Sequence, residues 1–387
     1  MKLKNTNMKK VLLFGLLSIA IITSAQKKKV IATAGPTTTQ TTPDSIFKNL
    51  AWRNIGPFRG GRANTISGVV NNEKQFYAGY TGGGVWSTID GGISWKNISD
   101  GFFNVGSIGD IAVSESDPNV IYVGTGEHAV RGVMTSYGDG VYKSTNGGAT
   151  WKNIGLEKSR HISEICIHPN NSDIVYVAAQ GTVHGPNNER GVYKSVDGGA
   201  NWKRVLYIND STGIASLSMD MNNPRILYAA AWEHRRFPWT VSSGGKGSSI
   251  WKSTDDGNTW VKLSEGLPEQ MGKIGVSVSR VNSNRVFAIV ETEKKKSGLY
   301  RSDDAGKTWA LLSNNQDISS RSWYYMKVYA DTKNENIVYV LNAPVMRSID
   351  GGKTFSNVKV GHGDTHDLWI NPKNNNTVGL ADDGGGE

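Results

Sequence analysis

One cysteine, Cys166, stands in 387 residues, so no intrachain disulfide is available to staple the fold. Long apolar runs are missing apart from one near the N-terminus, which excludes a polytopic membrane protein. No stretch sustains a 3.6-residue apolar period, so helices are expected to be scarce. The 46 glycines follow no Gly-X-Y period, which excludes collagen and points to many tight turns. Aromatic payload, by contrast, is plentiful: 12 Trp, 14 Tyr and 9 Phe are more than a solvated, disordered chain carries. Those rings need a core, and an all-β chain can spend this length on one domain.

Residues 1–25 read as a secretory signal. Lys2, Lys4, Lys9 and Lys10 form a positive start, Val11 to Ile22 form an apolar stretch, and Thr23-Ser24-Ala25 offers small residues for cleavage before Gln26. The apolar run is too short to span a bilayer, so an exported protein is expected: periplasmic, cell-surface or extracellular. Cleavage lowers the net charge from +9 to +5. Dispersed basic residues at that level do not make the concentrated face that nucleic acid requires. Residues 26–49 are rich in Thr and Lys and read as a flexible linker. The globular part is expected over 50–387. Cys166, between Ile165 and Ile167, is expected to be a buried, inert thiol.

Internal repetition sets the architecture. Six segments share one pattern: Thr88 to Trp95 (TIDGGISW), Ser144 to Trp151 (STNGGATW), Ser195 to Trp202 (SVDGGANW), Ser253 to Trp260 (STDDGNTW), Ser302 to Trp309 (SDDAGKTW) and Ser348 to Phe355 (SIDGGKTF). Their starts lie 56, 51, 58, 49 and 46 residues apart, a spacing suited to one four-stranded propeller blade. Asp90, Asn146, Asp197, Asp255, Asp304 and Asp350 bond the backbone of their own turns, and a glycine two residues later supplies positive φ. Asn-rich turns recur between apolar alternating runs, as between Ile111-Ala-Val113 and Ile121-Tyr-Val123. Each unit thus reads as four antiparallel strands. The expected fold is an all-β propeller of six complete blades plus a partial seventh, the latter from Asp367–Ile370 and Thr377–Leu380.

The pattern Ser-x-Asp-x-Gly-x-Thr-Trp resembles the Asp box, or BNR repeat, of sialidases, xyloglucanases and sortilin-type receptors. Over residues 50–387 the chain most resembles the sortilin-type propeller and exported bacterial proteins labelled glycosyl-hydrolase-like. Because sortilin-type propellers have more blades, the resemblance implies that the chain is the N-terminal part of a larger propeller. The alternative is a seven-bladed ring completed by a strand around Ala51 to Ile55. As a guide to activity the box is weak, since its families differ in function.

Antiparallel alternation divides the connections between two faces. The Asp boxes and Asn-rich turns share one, where the boxes are structural. Longer connectors occupy the other and carry six of the seven histidines. Arg59 and Arg62 precede the first blade. Glu127, His128 and Arg131 follow a second strand, as do Glu233, His234 and Arg235 in another unit and Glu291 in a third. Between blades lie His161, then Arg321 and Tyr324, then His362, Asp364 and His366. Loops on a rigid scaffold place binding groups, so these are candidate ligand-binding residues. The competing reading is an ion-pair network satisfying the polar lining of a central channel.

Glu127, Glu233 and Asp364 are candidate catalytic carboxylates, since glycoside hydrolysis needs an acid pair flanking the bond. The resemblance to xyloglucanases implies a catalytic Asp before a Gly-Gly-aromatic stretch, where this chain has Thr81 ahead of Gly82-Gly83-Gly84-Val85-Trp86. Arg53, Arg59 and Arg62 lie close in sequence, unlike the arginine triad of sialidases, which draws on separate blades. The residues His362 to Asp367 include metal-ligand types but no HExxH-like spacing, so no metal and no cofactor is expected. The leading expectation is an exported propeller that binds a peptide, protein or carbohydrate ligand at the loop face. A secreted glycoside hydrolase using the same face is the alternative.

Overall fold

The computed structural model describes residues 61–131 and 135–387; the signal, linker, Arg59 and the Ala51 to Ile55 segment lie outside them. Seven antiparallel sheets follow one another along the chain. In the first, Ala63–Val69 pairs with Asn72–Tyr80, which pairs with Val85–Thr88 and then Lys96–Asn97. Five more sheets repeat this order, and the seventh has three strands: Thr365–Ile370, Val378–Asp382 and Gly385–Gly386. No α-helix occurs among the described residues, only two short 3₁₀ turns. The expected all-β propeller with six complete blades and a seventh of fewer strands is the observed fold.

One sheet departs from the repeat. In blade 4 the second strand continues to Phe237, as Leu227–Phe237, and Thr240–Ser243 folds back on its extension. The turn is Pro238-Trp239, and Trp239 is 80% exposed.

Six box hairpins, five with Asp and one with Asn, join third and fourth strands. In the first, Thr88 Oγ1 donates to Asp90 Oδ1 at 2.7 Å, and Ser94 donates from its N–H to Oδ1 and its hydroxyl to Oδ2. Asn146 plays the same part in blade 2, taking Ser144 Oγ and Thr150 N at its Oδ1. The boxes also bond the first turn of their own blade, as when Gly147 N donates to Asn119 O and Gly198 N to Asp173 O. Boxes and Asn-rich turns therefore share a face. Beyond the expected glycine, the residue directly after each Asp or Asn is also left-handed, and in blades 4 and 5 it is Asp256 (φ 62°) and Ala305 (φ 59°).

Packing between blades is apolar, with Ile and Val from facing sheets interleaved around buried Tyr77, Tyr122, Tyr142 and Tyr176. Box tryptophans reach across these seams: Trp151 Nε1 donates to Ile98 O and Trp202 Nε1 to Ile154 O.

The first strands of the blades line a central channel, and there a second repeat appears. Each such strand leaves N–H groups facing its neighbour, which a side chain of the preceding blade accepts. Ile111 N donates to Thr65 Oγ1, Ile165 N to Asp110 Oδ2, Leu217 N to Glu164 Oε2 and Val276 N to Ser216 Oγ. Asp367 of blade 7 takes Ile66 N of blade 1 at 3.0 Å, and Trp369 packs edge-on against Phe76. The seventh blade thus meets the first through the same bond that joins the others, and the ring closes.

Candidate functional site at the loop-face mouth

Arg62 enters just ahead of the first strand of blade 1. Its Nε and Nη2 both lie 3.1 Å from Glu127 Oε1, while Nη1 donates to Asp383 Oδ1 at 2.6 Å. Glu127 follows the second strand of blade 2 and Asp383 sits in the blade 7 hairpin, so one guanidinium ties three blades. Arg131 Nε adds a second cation 3.0 Å from Glu127 Oε1. Glu127 Oε2 has no hydrogen-bond partner although the residue is fully buried. Burial pushes the Glu127 carboxyl up, and the two guanidiniums pull it back only in part.

Blade 6 supplies the aromatic wall. The Arg62 guanidinium lies 5.1 Å from the Tyr324 ring centre, and Arg321 lies 5.6 Å from Tyr324 and 5.1 Å from Tyr325. Cations over ring faces at this range are attracted by the ring quadrupole. Arg321 also donates to both oxygens of Asp364, at 3.2 and 3.3 Å. Asp364 adopts φ 61°, a left-handed conformation that Asp tolerates better than most residues.

The histidines are mostly inside rather than on the surface. His128, His161, His234 and His366 are buried, while His184 and His362 are exposed. His366 and His234 each give an Nδ1 hydrogen to a main-chain carbonyl, of Ala63 (2.6 Å) and Trp232 (3.2 Å). His128 Nδ1 stands 3.1 Å from Gly109 O. Burial lowers all four pKa values, those of His161 and His366 to about 3. They act as neutral imidazoles that position the throat. His366 stacks on Tyr325 at 5.3 Å, and Gln180 links the His128 carbonyl to the His234 ring.

The candidates therefore separate. Arg62, Glu127, Arg131, Arg321, Tyr324 and Asp364 form one mouth, with His128 and His366 beneath it. Glu233, His234 and Arg235 line a smaller cleft of about 180 Å³ between the loops of blades 3 and 4. Glu291 faces a wider cleft between blades 4 and 5, where its Oε2 accepts from Ser243 Oγ and Lys273 N. His161 packs against Tyr137, and exposed His362 bonds Gly363 O. Among the described residues no group of three or more His, Cys, Asp or Glu is arranged to hold a metal.

Several residues of the site carry no local signal that singles them out. Asp383 and Tyr325 complete the mouth, but only ring closure brings Asp383 to Arg62. Below the mouth Asp110, Glu164, Lys327 and Asp367 form a buried charged belt, with Lys327 Nζ 3.4 Å from Asp367 Oδ1. Its signal was a charged residue within an otherwise apolar first strand, as in Ile162-Ser-Glu-Ile-Cys-Ile167. Cys166 also differs from expectation: it lines the channel cavity, half-buried, with its thiol on Leu217 O. Burial raises its pKa, so the thiol is of low reactivity.

A family model described as Sortilin, neurotensin receptor 3 (Sortilin-Vps10) matches residues 139–296. The chain resembles the sortilin-type propellers. It is also similar to xyloglucanases: the enzyme of Paenibacillus sp. is 23% identical over 242 residues, 55% of this chain but 22% of that protein. The chain thus matches about a fifth of that relative's length. Among solved structures, the GH74 xyloglucanase of Xanthomonas campestris aligns with a TM-score of 0.62 at 17% identity, over 87% of this chain and 53% of that one. YCF48 from Cyanidioschyzon merolae aligns at 0.55 and 16%, over 87% and 97%. These structural likenesses concern the fold. Among the described residues no helix is long and apolar enough to cross a membrane.

Proposed function

We propose that the protein is an exported, sortilin-like propeller that binds a peptide, protein or glycan ligand at the loop-face mouth of its channel. One observation carries this reading: the Arg62 guanidinium clamps Glu127 and Asp383 while lying over Tyr324. Connectors of four blades converge there on a rigid frame. Such a frame limits the ordering cost that binding otherwise incurs. Glu127 Oε2, buried and unpartnered, offers an acceptor to a ligand donor. Arg62, Arg131 and Arg321 offer charge-assisted donors beside aromatic faces.

The carboxylates favour binding over hydrolysis. A hydrolase needs one acid free to donate a proton and a second free to act as base or nucleophile. Here Glu127 touches two guanidiniums and Asp364 is held by Arg321. The similarity to xyloglucanases keeps glycoside hydrolysis as the second reading, with Glu127 and Asp364 as its pair.

Titration calorimetry and glycan and peptide arrays on the mature protein separate the two. Binding without release of reducing ends, weakened about tenfold or more by Arg62→Ala, is expected from loss of a charge-assisted contact pair. Release of reducing ends from xyloglucan that disappears in Glu127→Gln would establish the hydrolase instead.

A further inference from the structure

The opposite end of the channel carries its own device. Behind the Asn-rich turns the first strands enclose a cavity of about 270 Å³, lined by Asp110, Glu164, Cys166, Tyr329 and Asp367. Glu115 and Arg280 stand at its outer end, in the first turns of blades 2 and 5. These blades are not neighbours: blades 3 and 4 separate them on one side, and 6, 7 and 1 on the other. Yet the two side chains meet in a bidentate pair, Arg280 Nη1 donating to Glu115 Oε2 at 3.2 Å and Nη2 to Oε1. An ion pair joining non-adjacent blades at the channel lining crosses the axis.

We propose that the Glu115–Arg280 pair gates the hairpin-face end of the channel, and that the chamber behind it admits small cations in preference to small anions. Both side chains remain about a quarter exposed, at 26% and 28%. Water therefore competes for the contact, and a pair of this kind opens at small cost. No main-chain bond joins the two turns to each other across the axis. Three carboxylates line the cavity, while the Lys327 ammonium is committed to Asp367. A confined space in which carboxylates outnumber cations focuses its field and raises the local concentration of positive charge. The inference stands apart from ligand binding at the mouth, because gate and mouth lie on opposite faces.

Cys166, the single cysteine of the chain, reports entry directly. Aminoethyl and sulfonatoethyl methanethiosulfonate each transfer a charged thioethyl group to the thiolate, forming a mixed disulfide and releasing methanesulfinate. Applied to the full chain, the cationic reagent should label Cys166 about tenfold faster than the anionic one, as electrostatic focusing predicts. The ratio of the two rates, divided by the same ratio measured on a free small-molecule thiol, cancels the reactivity of the thiol and of the reagents. Glu115→Gln should accelerate both reagents roughly fivefold, the scale of a partly exposed ion pair. Where that variant folds poorly, ionic strength near 1 M on the unaltered protein should speed the anionic reagent, by screening the pair and the cavity carboxylates together. Equal rates for the two reagents would overturn the charge preference. Rates unmoved by both Glu115→Gln and salt would overturn the gate, leaving core packing as what shields the thiol.

Discussion

At the scale of single residues, the hairpin carboxylates show how a repeated side chain acts as a small structural clasp. Asp90, Asp197, Asp255 and Asp304 take hydrogen bonds from the residue four positions on and from the leading Ser or Thr, and these lower each pKa to about 2. A carboxyl whose folded pKa lies below its unfolded value, near 3.9, adds stability above that value and loses it as pH falls toward about 2. Thermal melts should therefore drop steeply between pH 4 and about 2, with the box carboxyl signals titrating last by NMR. Backbone strain gives a second prediction. Ala305 holds φ 59° where four other boxes place glycine, and a left-handed L-residue costs on the order of 1 kcal/mol. Ala305→Gly should stabilise the protein by about that amount in urea unfolding.

Individual strands would be poor neighbours without the channel belt, because the edge of each first strand presents N–H groups to a partner with no ladder to offer. Asp110, Glu164 and Asp367 solve this by accepting across the seam. Asp367 has the most partners, holding Ile66 N, Thr65 Oγ1, Tyr329 and Lys327. Asp367→Ala should cost about 3–5 kcal/mol, since it strands a buried ammonium. Asp367→Asn should cost less, because an amide oxygen still accepts from Ile66. Differential scanning calorimetry of the two variants compares them directly. The box hairpins were legible in the chain because their chemistry is local: every bond that the Asp or Asn side chain accepts spans four residues or fewer. The belt was not, because its partners lie some fifty residues apart, or at opposite ends of the propeller, and no local pattern pairs them.

For the molecule as a whole, closure places like charges together. Burial raises Glu164 to about 7 and Asp110 to about 6, and Lys327 only partly offsets it. A carboxyl held above its unfolded value binds its proton more tightly when folded. Its contribution is present below the unfolded pKa near 4 and is lost as pH rises through the folded value. Stability should thus decline between about pH 4 and 7, the span between the unfolded and folded values, and Glu164→Gln should flatten that slope in a melting series. The mouth obeys the same logic of assembly. Arg62, Glu127, Arg131, Arg321 and Asp364 were all marked by their place in long connectors. Their grouping, and the removal of Glu233 and Glu291 to other clefts, depended on which blades face each other.

The amino-acid order alone determined the repeat, the strand quartet and the division of connectors between two faces, since each follows from spacing and turn chemistry within some fifty residues. Tertiary structure decided which connectors share a mouth, that four histidines serve as buried neutral supports, and that charge lines the axis. Those outcomes depend on ring closure, which brings residues three hundred positions apart within hydrogen-bond distance and withdraws water from them.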